Sequence, residues 1–67
     1  MDNLVLDLSF VTQRLTSKRE EHAELASKIE KAMQDENVPI LYLANLAELA
    51  DTLAKEIYLL ENLLRLF

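Results

Sequence analysis

Apolar residues are unevenly spread along the chain: seven among residues 1–11, seven among residues 12–37 and twenty among residues 38–67. The chain thus has a greasy start, a polar middle and a strongly apolar end. Alternating steps of three and four from Leu4 give Leu4, Leu8, Val11, Leu15, Lys18, His22, Leu25, Ile29 and Ala32, of which seven of nine are apolar. That 3.5-residue spacing is the seam of a packed helix. It predicts a first helix over about residues 2–34, with Val5, Ala26 and Met33 widening one side of the stripe. Lys18 and His22 interrupt the seam at its middle. Lys28 and Lys31 fall in the last turns, where cations complement the helix dipole, and Glu24 precedes Lys28 by four residues in the favoured order for an ion pair.

The beginning of this segment reads two ways. Leu4, Leu6, Leu8 and Phe10 alternate with Val5, Asp7 and Ser9, which is also a strand pattern, and a helix would leave Leu6 and Phe10 off its stripe. A lone strand would need a partner edge that the rest of the chain does not supply. Ser17-Lys18-Arg19-Glu20 has the form of a capping box, so a helix could also restart near Ser17.

Residues 35–38 predict a turn. Val38 precedes Pro39 and is biased away from the α region, and Pro39 suits the first turn of a new helix. Asn37 can cap that helix, and Asp35 and Glu36 sit near its positive end. A second helix is then expected over about residues 39–66. Its seam is Leu43, Leu46, Ala50, Leu53, Ile57, Leu60, Leu64 and Phe67, every one apolar. Tyr42, Leu49 and Leu63 extend one flank, and Ala47 and Ala54 the other. The polar face is narrow (Asn45, Glu48, Asp51, Thr52, Lys55, Glu61, Asn62, Arg65), with Asp51–Lys55 and Glu61–Arg65 at pairing distance.

Two long helices joined by a short turn make an all-α, antiparallel two-helix hairpin, here a single domain over residues 1–67. The second helix is apolar over too wide an arc for the first to cover, with Leu41, Tyr58, Leu59 and Leu66 in surplus. An uncovered apolar face on a soluble chain marks an interface. The candidate interface is therefore Leu41, Tyr42, Leu46, Leu49, Leu53, Ile57, Tyr58, Leu60, Leu64 and Phe67. Closure into a four-helix bundle with a second copy, or packing on another helical protein, would cover it.

Composition narrows the function. Seven basic against twelve acidic residues give a net charge of −5, which argues against a general nucleic-acid binder. No glycine is present, so Gly-rich phosphate loops are excluded. No cysteine is present, so neither a disulfide nor a thiolate metal site can staple so short a chain. Stability must come from helix packing or a partner. The longest uncharged run, Asn37 to Ala47, is 11 residues, too short for a bilayer, and the acidic Met1-Asp2-Asn3 start is not a secretory signal. A cytoplasmic protein with no membrane partner is expected.

The candidate chemistry is thin. A carboxylate-bridged metal bundle needs Glu three residues before a His, and the residue there is Arg19, so His22 reads as a structural or solvent-edge histidine. Lys18 can snorkel its ammonium out of the seam or set the register of the helices. Arg14, Lys18 and Arg19 form a small basic cluster beside Glu20, Glu21 and Glu24. The plain reading is a solvated face, and the sharper one is contact with nucleic-acid phosphate, as in a small phage or plasmid regulator. No Ser, Thr or Asp has a His or Lys at an activating spacing. Tyr42 and Tyr58 read as packing or interface anchors. The expectation is no enzyme, no cofactor, no metal and no small-molecule substrate.

A greasy start, a polar helix, a turn and an apolar second helix, with Pro39 followed by Tyr42, resemble in outline the small helical-hairpin co-chaperones of type III secretion. Those proteins hold the chaperone of a needle subunit and often carry glycine in the turn, where this chain has Asp35-Glu36-Asn37. The resemblance implies an adaptor whose partner is another helical protein. The residues themselves point to a non-enzymatic interaction module whose partner is itself, as a homodimer, or another helical protein.

Overall fold

The computed structural model describes residues 7–66. The chain forms two α-helices, α1 over Leu8–Met33 and α2 over Ile40–Arg65, each of 26 residues. At 1.5 Å per residue each helix is about 39 Å long. They lie antiparallel: Leu25 and Lys28 of α1 line a groove with Leu49 and Leu53 of α2, whereas Arg14 and Lys18 line one with Leu59 and Leu60.

The helix α1 begins later than its apolar pattern suggests. Asp7 is extended (φ −92°, ψ 118°), and its side chain accepts a hydrogen bond from the Ser9 backbone N–H at 2.9 Å. This satisfies one of the orphan donors of the first turn. Residues 8–11 are helical, so the strand reading does not hold there, and Phe10 is exposed as a helix requires. The calls on residues 2–6 lie outside the described residues. No break occurs at Ser17, because the apolar spacing on both sides of it stays in phase on one continuous helix.

The turn uses its polar residues differently from the expectation. Asn37 does not cap α2. It donates its backbone N–H to the Asp35 carboxylate at 2.9 Å, closing a local turn, while Pro39 occupies the cap position without a side-chain hydrogen bond. The Pro39 carbonyl accepts from the backbone N–H groups of Tyr42 and Leu43, so the first turn of α2 is anchored through the main chain. Pro39 thus sits one position before the first helical residue.

Inside the hairpin the two seams meet. Val11, Leu15 and Ala32 of α1 and Leu46 of α2 are buried. Lys18, His22, Leu25 and Ile29 are half-buried, as are Leu43, Ala50, Leu53, Ile57, Leu60 and Leu64 on the facing helix. Leu8 is exposed at the open end, and Ala26 and Met33, expected to widen the stripe, also face solvent. Two helices in contact share only a narrow strip, and positions beside it gain no cover.

The result is a rod of 53 × 18 × 16 Å with a radius of gyration of 15.7 Å, against about 11 Å for a compact domain of this length. Among the described residues no helix is long and apolar enough to cross a membrane.

Candidate interaction surface

Burial divides the candidate interface in two. Leu46, Leu53, Ile57, Leu60 and Leu64 are covered wholly or partly within the hairpin and belong to its own seam. Leu41, Tyr42, Leu49 and Tyr58 stand exposed, and Phe67 lies outside the described residues. Ile40, Leu59 and Leu66 join them, so α2 presents seven large apolar side chains to solvent, with Ile40 83%, Leu41 73% and Leu66 81% exposed. The helix α1 exposes three: Leu8, Phe10 and Met33.

The exposed apolar side chains of α2 fall along three directions: Ile40 with Tyr58, Tyr42 with Leu49, and Leu41 with Leu59 and Leu66. Leu41, Leu59 and Leu66 are separated by 18 and 7 residues, or close to five and two helical turns, so they share one direction outside the buried seam. Asn45, Glu48, Thr52 and Lys55, all exposed, lie along the same strip between Leu41 and Leu59, so it is the polar face of α2 that carries these leucines. Beside it, Ala54, the Lys55 stem, Tyr58 and Leu59 line an open dent without polar atoms. A separate groove is lined from both helices by Leu25, Leu49 and Leu53 together with Glu21, Glu24, Lys28, Thr52 and Glu56.

The polar interruption of the seam is an ion-pair layer. The Lys18 side chain is largely covered, and its ammonium lies 3.3 Å from Glu56 and 3.9 Å from Glu21. Snorkelling and cross-linking are therefore combined: the stem follows the seam and the charge ends on the opposite helix. On the other side of the hairpin the Arg19 guanidinium donates to Glu61 at 2.7 Å. The helices are tied together here and do not splay. His22, the other polar seam residue, is half-buried one turn further along.

Glu56 had no place in the sequence-based list of polar contacts. The signal was present. A hairpin turning about residue 37 brings 18 opposite 56, because both lie 19 positions from the turn. One expected pair is replaced and another does not form. Glu61 pairs with Arg19 and not with Arg65, whose guanidinium donates instead to the Asn62 side-chain carbonyl at 3.4 Å. Glu24 and Lys28 form no ion pair among the described residues, whereas Asp51 and Lys55 do, at 3.1 Å. A cross-helix acid at short distance outcompetes an exposed neighbour on the same helix, where the gain is only a few tenths of a kcal/mol.

The basic cluster is largely committed to its own chain. Two of its three cations, Lys18 and Arg19, are paired with α2, and Arg14 borders a groove with Glu56, Leu59 and Leu60. Among the described residues no group of three or more His, Cys, Asp or Glu side chains is placed to hold a metal ion.

A scan against family models and searches of curated proteins and of solved structures found no match to the chain.

Proposed function

We propose that the protein is a non-enzymatic interaction module in which the uncovered face of α2 docks on a second helical surface. The observation that carries this reading is the number of large apolar side chains left exposed around α2. Each such side chain gains on the order of 2 kcal/mol when fully buried, and water is a poor environment for so many on one helix. The surface is also large. The chain exposes 5435 Å², where a compact monomer of this length would expose about 4,300 Å². The excess, about 1,100 Å² in this elongated rod, is more than the roughly 800 Å² that one partner of a standard interface buries. The absence of cysteine suits work in the reducing cytoplasm.

The test is the stability of the isolated chain across concentration, with Leu41→Glu and Leu59→Glu as controls. The expected result is a helical signal that strengthens with concentration or with an added partner. Both variants, altered only outside the hairpin seam, should keep the hairpin's monomeric helicity and lose that dependence. A wild-type chain that is monomeric at every concentration and unfolds with more than about 5 kcal/mol of stability would overturn the reading.

A further inference from the structure

We draw no further inference here: the strongest candidate, the groove along one side of the hairpin where Leu25, Leu49 and Leu53 lie among Glu21, Glu24, Lys28 and Glu56, has its acids largely offset by Lys28 and by Lys18, which reaches both Glu21 and Glu56, so nothing in the structure shows what covers it.

Discussion

The two helices have equal length and contribute one continuous seam each, yet they differ in what they need from outside. In α1 the positions off the seam are mostly polar, and its exposed large apolar residues are confined to its ends, at Leu8, Phe10 and Met33. In α2 exposed apolar residues recur from Ile40 to Leu66. Packing against a single neighbour covers one stripe of a helix whatever the remainder of its circumference carries. The contrast teaches that the hairpin contact accounts for the fold, and that the composition of the rest of α2 decides which apolar side chains the hairpin leaves exposed. A substitution should therefore act on folding or on association according to the side of the seam on which it falls.

The largest expected effect lies on the seam of α1. Leu15 is only 4% exposed, and Leu15→Asp places an unpaired carboxylate among apolar side chains, with an expected loss of more than about 3 kcal/mol. Far-UV circular dichroism should show a largely unfolded chain. Retained helicity would mean that the seam contributes little to the fold, and the distinction between the two sides of α2 would lose its basis. Next comes Leu59→Glu on the outer face, which should cost less than about 0.5 kcal/mol of hairpin stability while weakening association by at least about tenfold. Equal losses in both quantities, read by thermal melts and light scattering, would break the comparison.

A smaller effect sharpens the role of the ion-pair layer. Lys18→Glu sets a third carboxylate beside Glu21 and Glu56 and should destabilise the hairpin by roughly 2 kcal/mol. Lys18→Met, which keeps the covered stem and removes the charge, should stay within about 1 kcal/mol of the parent. Urea titrations of both variants measure the difference, and equal destabilisation would show that the charge itself stabilises the pair. The smallest effect belongs to the start of α1. Asp7→Ala removes the side-chain acceptor for the Ser9 N–H and should cost about 1 kcal/mol. Amide exchange should accelerate in residues 8–11 alone, and a change spread over both helices would contradict a local cap.

Much of the fold was readable from spacing alone. The 3.5-residue repeat from Leu8 to Ala32 and from Leu43 to Leu64 placed both seams, and Val38-Pro39 located the turn, because periodicity and backbone restriction are properties of short stretches. Local competition was harder to read. Asp7 as a cap was missed because the apolar pattern runs through it without a change of phase, and Asn37 proved to serve the turn before the helix. The Lys18–Glu56 and Arg19–Glu61 pairs were missed because ion pairs were sought along one helix, whereas their partners lie 38 and 42 residues away. Which apolar side chains the hairpin leaves exposed was half legible. Leu41 and Tyr58 were recognised as surplus, but seam residues such as Leu46 were assigned to an external interface because apolarity alone does not distinguish the inner from the outer side of a helix.

The turn closed by Asp35 and Asn37 also bears on how the chain folds in time. Partners across the seam lie at nearly equal distances from residue 37, so each layer that forms shortens the loop to be closed by the next. Layers near Ala32 and Leu43 join segments about ten residues apart, and those near Val11 and Leu64 join the most distant ones. Assembly by this route zips from the turn toward the open end, with the fast kinetics of contacts made in sequence order. Opening runs in reverse, so the end that carries Leu59 and Leu66 is the first to separate and the last to close.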